Sequence, residues 1–198
     1  MYPVITISRE FGSGGHSIGQ KVAEELGIPF YDGEIVERVA KESGYAKDVI
    51  ENDGEYASRW GHYINTNPYA NYAPLPQDNM FSIQCSIIRE LAAKGPCVIV
   101  GRCADYVLAE EDVETLNVFI HADYAHRIAR IKERYGETDI PVEKRLKKKD
   151  KGRATYYKFY TDRHWGDFKN YNLDLDSGYL GEDTCAQIIC EVAKEHDK

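Results

Sequence analysis

The chain has 198 residues, 42% of them hydrophobic, with a formal net charge of −8; this is enough for one domain with its own core and gives no support to general nucleic-acid binding. Five cysteines form no Cys-x-x-Cys pair and six histidines lie scattered, which suits a reducing compartment and argues against zinc. The opening MYPVITISRE has no signal-peptide pattern and no apolar run reaches membrane-spanning length, so the expected location is cytoplasmic, with no membrane partner.

In chain order, the β-branched run Val4 to Ile7 predicts a strand that enters a loop with glycines at 12, 14, 15 and 19. SIGQKVAEELG spaces Ile18, Val22 and Leu26 four apart and closes on Gly27, the pattern of a helix opening at Ser17. IPFYD predicts a short strand. GEIVERVAKESG predicts a second helix, with Ile35, Val36, Val39 and Ala40 on one face and Gly44 at its end. Residues 46 to 55 read as a further short helix. Trp60 to Gln77, with three prolines, three asparagines and three tyrosines, reads as a long loop able either to grip a flat ring or to pack on the surface.

Regular patterns return with NMFSIQCSIIRELAAKG, a helix, and CVIVGR, a buried parallel strand. CADYVLAEE predicts a short helix, TLNVFIHA a strand and DYAHRIARIKERYG another helix. A basic, tyrosine-rich helix is expected from about Val142 to Tyr160, followed by the strand YNLDLDS and a last helix, DTCAQIICEVAKEH. Strand and helix alternate throughout, which predicts an α/β protein with a parallel sheet covered on both faces.

The glycine loop carries the chemistry. A strand, a loop of small residues and a helix start let successive N–H groups converge on one anion, with about half a positive charge added by the helix dipole. The usual phosphate loop, G-x-x-x-x-G-K-[ST], also has a lysine that reaches the outer phosphates and a hydroxyl that holds magnesium. Here Ser17 supplies the hydroxyl, but the lysine position is Gly15, followed by His16. The run is therefore either a phosphate site or a strand-to-helix turn with a good cap at Ser17.

The ordered set ITISREFGSGGHSIGQKVAEELG, FYDGEIVERVAKESG, VIVGRCADYVL and YNLDLDSGYLG resembles the cytidylate-kinase-like family of bacterial P-loop proteins over almost the whole chain. The resemblance implies a three-layer P-loop kinase fold with a five-stranded parallel sheet, a helical lid and an acceptor-binding insert. Set against the loop G-x-S-G-x-G-K-G-T of true cytidylate kinases, Gly12 and Gly14 match the inner glycines and Ser17 the threonine. Arg9 replaces the first glycine and Gly15 the lysine, leaving Arg9 or His16 to supply part of the lost charge. Asp32 resembles the aspartate opening the D-x-G-A-x-Y-R segment, and Arg38 its arginine, a ligand of the acceptor phosphate. Gly101 and Arg102 resemble the acceptor-binding G-R-D, with Cys103 in place of the aspartate. Asp150 and Arg153 match the second half of the lid motif R-D-x-x-D-x-x-R, whose first half falls on Leu146 and Lys147.

For each residue the family aside, a structural reading stands beside the functional one: Asp32 as a helix cap, Arg38 and the lysines at 147, 148, 149 and 151 as solvated charge, Arg102 as an ion pair with Asp105. Tyr156, Tyr157, Tyr160 and Trp165 either stack on a base or pack the lid on the body. Arg127 and Arg130 are expected to extend the lid base toward the nucleotide.

The expectation is a single domain over residues 1–198, with the insert at about 45–80 and the lid at about 135–168. It transfers phosphoryl from ATP, with magnesium, to a small acceptor such as a nucleoside monophosphate. Gly12, Ser13, Gly14, Gly15, His16, Ser17 and Arg130 hold the donor; Ser17 and Asp32 hold the metal; Arg38, Arg102, Asp150 and Arg153 serve the acceptor and the transfer. The rivals are a nucleotide-binding regulatory module without turnover and a kinase of another small metabolite.

Overall fold

The computed structural model describes residues 3–44, 76–109, 111, 113–136 and 138–195. Strands β1 (Val4–Arg9), β2 (Phe30–Tyr31), β3 (Val98–Val100), β4 (Thr115–His121) and β5 (Leu173–Asp176) form one parallel sheet in the order β2-β3-β1-β4-β5. Helices α1 (Gly15–Leu26), α2 (Gly33–Ser43), α3 (Pro76–Ala93), α4 (Ala104–Val107), α5 (Tyr124–Tyr135), α6 (Val142–Thr161), α7 (Ser177–Leu180) and α8 (Glu182–Glu195) follow in chain order. The five-stranded parallel sheet flanked by helices is the expected architecture. The short helix expected at residues 46–55 and the loop from Trp60 lie outside the described residues as far as residue 75.

The pleat sorts the core into two layers. Ile5 and Ile7 of β1, Val98 and Val100 of β3, and Leu116, Val118 and Ile120 of β4 share one face, where Ile18 and Val22 of α1 and Ile189 and Ala193 of α8 bury them. Val4, Cys97 and Ile99 face the other way, onto Ile35, Val36 and Val39 of α2 and Ile87, Ile88 and Leu91 of α3. Both faces are covered, so the strands read as continuous apolar runs rather than as alternating ones.

Two element boundaries depart from expectation. Helix α1 begins at Gly15, two residues before Ser17, because Gly14 takes the N-cap position in the left-handed region at φ 85. Ser17 therefore lies inside the first turn and caps nothing. The segment after β5 turns at once into α7, whose start is capped by Asp176 through the N–H groups of Gly178 and Tyr179. A four-residue helix carries too few apolar repeats to register as a period.

The sheet gathers its strand ends at one edge. The loop after β1, Asp32 after β2, Gly101 and Arg102 after β3, and Ser177 after β5 all lie at carboxyl ends of parallel strands, on both sides of central β1. That edge is where open α/β sheets bind ligands.

Candidate functional site

The loop between β1 and α1 is pinned from several directions. Ser13 Oγ donates to the carbonyls of Glu10 and Ile120, each at 3.0 Å. Ser177 Oγ reaches the Ser13 carbonyl at 2.6 Å and that of His121 at 2.9 Å. With the loop so held, Gly14 bends the chain into α1: its φ suits glycine, and a Cβ there would lie 2.9 Å from Glu182 Oε1 and 3.1 Å from Arg130 Cζ. The first intrahelical bond runs from Ile18 N–H to the Gly14 carbonyl at 3.0 Å, so the N–H groups at the start of α1 have no intrahelical acceptor.

A cleft of about 170 Å3 opens at this helix end, walled by residues 9–12 and 14–17, by Asp32, and by Arg130, Arg134, Tyr135 and Arg153. Arg134 Nη1 donates to Ser17 Oγ at 2.5 Å and Arg130 Nη2 to the same oxygen at 3.3 Å. Arg130 is also paired with Glu182, from the first turn of α8. Burial and the neighbouring Arg134 charge lower the pKa of Arg130, the electrostatic state that an arriving anion relieves. On the opposite wall His16 Nδ1 and Asp32 Oδ2 lie 2.7 Å apart. Asp32 stands at the N-cap of α2 but makes no side-chain capping bond.

A second hollow adjoins the first and shares Arg9 and Arg153 with it; its other walls include Ser8, Gly101, Arg102, Cys103, Tyr156, Tyr157 and Trp165. Its volume is about 20 Å3, room for roughly one water. Gly101, Arg102 and Cys103 are three successive residues at positive φ, 74, 61 and 55. For the two non-glycine residues that conformation costs on the order of 1 to 3 kcal/mol each, and such strain concentrates at functional sites. Arg102 is buried, and its carbonyl accepts from Gln84 Nε2 at 3.0 Å. Asp105 accepts from the Tyr157 hydroxyl at 2.6 Å, and burial raises its pKa.

Helix α6 meets the loop through Asp150. One carboxylate oxygen accepts from the Phe11 N–H at 2.8 Å, and the other from Arg127 Nη1 at 2.6 Å. Arg127 also reaches the Phe11 carbonyl at 3.3 Å and lies 3.5 Å from Glu10, whose pKa burial raises. Arg153 Nη1 donates to the Arg9 carbonyl at 2.8 Å.

The geometry brings Gly12, Gly14, Gly15, His16, Ser17, Asp32, Arg130 and Arg153 to one cleft and Arg102 to its neighbour. Ser13 turns its hydroxyl into the loop backbone. Arg38 lies elsewhere, on the outer side of α2, paired with Glu90 of α3 and Glu42. Arg127, expected to extend toward the nucleotide, turns instead to Asp150 and Glu10, because its own buried guanidinium needs the two half-buried carboxylates on that side. The residue of that helix that sequence reasoning passed over is Arg134, four after Arg130 and so on the same face. Gln84 and Ser177 were also missed; Gln84 belongs to no motif, and Ser177 lies in the segment YNLDLDSGYLG, where no role was read for it. The tyrosines of α6 pack it on the body: Tyr156 and Tyr157 are buried and Tyr160 stacks on Phe81 with ring centroids 3.9 Å apart.

The donor set fits a nucleotide polyphosphate. The start of α1, whose first N–H groups lack intrahelical acceptors, lines the cleft with Arg9, Arg130, Arg134 and Arg153, and Ser17 and Asp32 on its walls are the oxygens that would hold magnesium. Magnesium takes one or two protein ligands and completes its shell with phosphate and water, so it needs no larger cluster. No helix among the described residues is long and apolar enough to cross a membrane.

The family description "Cytidylate kinase-like family" matches residues 4–179. A cytidylate kinase of Methanopyrus kandleri is 26% identical over 197 residues, covering 94% of this chain and 90% of that protein. A solved structure from Eubacterium ventriosum ATCC 27560 superposes with a TM-score of 0.73 at 29% identity, covering 97% of this chain and 98% of that one. A shikimate kinase from Acinetobacter baumannii, solved with shikimate, has a TM-score of 0.57 at 14% identity, over 99% and 95% of the two chains, a likeness of fold alone.

Proposed function

Because this chain belongs to the cytidylate kinase-like family, we propose that it moves the γ-phosphoryl group of ATP, with magnesium, to a small anionic acceptor, a nucleoside monophosphate being the first candidate. The observation that carries the reading is the convergence of the α1 start with Arg9, Arg130, Arg134 and Arg153 on one cleft, with buried Arg102 in the adjoining hollow. Phosphoryl transfer asks little covalent chemistry of a protein; it asks for charge neutralisation and an aligned acceptor oxygen.

In this reading the N–H groups from Gly12 to Ser17 and the guanidinium of Arg130 bind the donor phosphates. Ser17 and Asp32 hold the metal, which neutralises donor charge when bound. His16 orients Asp32 through their 2.7 Å contact. Arg102 and Arg153 hold the acceptor anion in the hollow that borders the cleft. In this reading the segment at about 135–168 acts as a lid; Asp150 holds α6 against the loop, and Arg153 stands at the cleft wall, donating to the Arg9 carbonyl. The acceptor oxygen is already anionic near neutral pH and needs no general base. Arg38 joins the acceptor only if α2 releases it from Glu90.

Cys103, where the acceptor motif has aspartate, favours a second reading in which the acceptor is not a cytidine nucleotide but another small phosphorylated or carboxylated metabolite. A panel of nucleoside monophosphates and small anionic acceptors, followed by ADP release with Mg-ATP, separates the two. Arg102→Ala is expected to lower turnover with the true acceptor at least about tenfold, mainly through KM, because a charge-assisted bond is lost. ATP affinity is expected to hold. Equal ADP release from both proteins with every acceptor would refute the acceptor assignment, and ATP binding without turnover by either would favour a regulatory module.

A further inference from the structure

We infer that Arg9 supplies the phosphate-binding charge that such loops otherwise place on a lysine, and that Arg9 and Gly15 are a single exchanged pair. The inference rests on the kinase reading above and adds to it the identity of the cation.

Gly15 is the first residue of α1, and its backbone is not among the positive-φ glycines, so conformation does not require glycine there. Space does. A Cβ on Gly15 would lie 2.5 Å from Arg9 Cβ and 2.9 Å from Arg9 Cγ, distances no pair of carbon atoms tolerates. The reason is the strand pleat: Ile5, Ile7 and Arg9 alternate onto the α1 side of β1. One turn along α1, Gly19 lies over Ile7 in the same way, with a Cβ there 3.1 Å from Ile7 Cδ1. The helix thus rests its glycines on the strand, and the stem of Arg9 runs under the residue where a loop lysine would begin. A lysine at 15 and any side chain at 9 exclude each other.

Arg9 also lies in the wall of both the loop cleft and the Arg102 hollow. A cation shared by those two sites stands where a phosphoryl group passes from one to the other. His16, the other loop residue that could carry the charge, is a cation only when protonated. Arginine stays charged at all working pH values and can grip two phosphate oxygens at once. Because the closest clash is with Cβ itself, alanine or methionine at 9 leaves it in place; only glycine at 9 frees room for a side chain at 15.

Calorimetry with Mg-ATP and thermal melting of the wild type, Arg9→Met, Arg9→Gly, Gly15→Lys and the double variant Arg9→Gly/Gly15→Lys test the pair. Arg9→Met, which keeps the packed stem, is expected to melt near the wild type yet bind Mg-ATP about ten- to a hundredfold more weakly. Gly15→Lys is expected to melt markedly lower. The double variant is expected to recover stability relative to Gly15→Lys and ATP affinity relative to Arg9→Gly, a non-additivity expected only of residues in contact. Wild-type affinity in Arg9→Met, or a double variant no better than its parents, would overturn the exchange while leaving the kinase reading intact. Failure of the wild type itself to bind Mg-ATP would overturn both.

Discussion

Arg127 and Asp105 show how single buried charges set the terms of this fold. Arg127 is 7% exposed and holds Glu10 and Asp150, while Asp150 also accepts from the Phe11 N–H. Arg127→Met leaves two carboxylates without their cation and is expected to lower stability by about 2 to 4 kcal/mol in urea denaturation. Asp105 lies 2% exposed beneath Tyr157, its pKa raised above the ordinary 3.8 by burial. Such a carboxyl binds more proton in the native than in the unfolded chain over the interval between its two pKa values. Stability therefore falls as pH rises from about 4 through the native pKa. Asp105→Asn removes that contribution, so the variant's stability is expected to fall less steeply than the wild type's over the same range; parallel curves would count against a raised pKa. Neither role was legible beforehand. Arg127, Arg130 and Arg134 share one periodicity, and only the tertiary surroundings decide that the first is held by Glu10 and Asp150 while the other two line the cleft.

Helix α6 is the element on which site and stability meet. Near its start, Val142 and Leu146 pack with Ile131 and Phe11; near its end, Tyr156 and Tyr157 pack with Cys103 and Trp165; between them stand Asp150 and Arg153. Leu146, in the place of a charged lid residue, is fully buried, so the altered motif is the apolar anchor of the helix. Leu146→Ala is expected to cost about 2 to 4 kcal/mol, and because it loosens the end nearest the loop, hydrogen exchange should speed up through residues 142 to 153 before the rest of the chain. The helix also walls the small hollow with Arg153, Tyr156 and Tyr157. Under the proposed lid role, filling that hollow moves α6, and exchange along α6 is expected to slow when Mg-ATP and acceptor are present together. Unchanged protection in the presence of both would argue against the lid.

Across the whole molecule, the cleft is built from β1, α1, the β2–α2 junction, α5 and α6, so a ligand there ties together parts far apart in sequence. Saturation with Mg-ATP at a hundred times its Kd is expected to add about 2.7 kcal/mol of stability, visible as a raised melting temperature that AMP does not match. The alternating strands and helices, their two-faced burial and the glycine loop at the first strand end were all determined by sequence alone, because hydrophobic period and turn chemistry act between neighbours. What Gly15 is for, which arginines reach the loop, and why Arg38 lies against Glu90 while Arg102 lies strained in a hollow were decided only by tertiary structure. Those facts are contacts between residues tens of positions apart or the set of a backbone held by its surroundings, and no local pattern encodes which distant side chain a fold will bring within 3 Å.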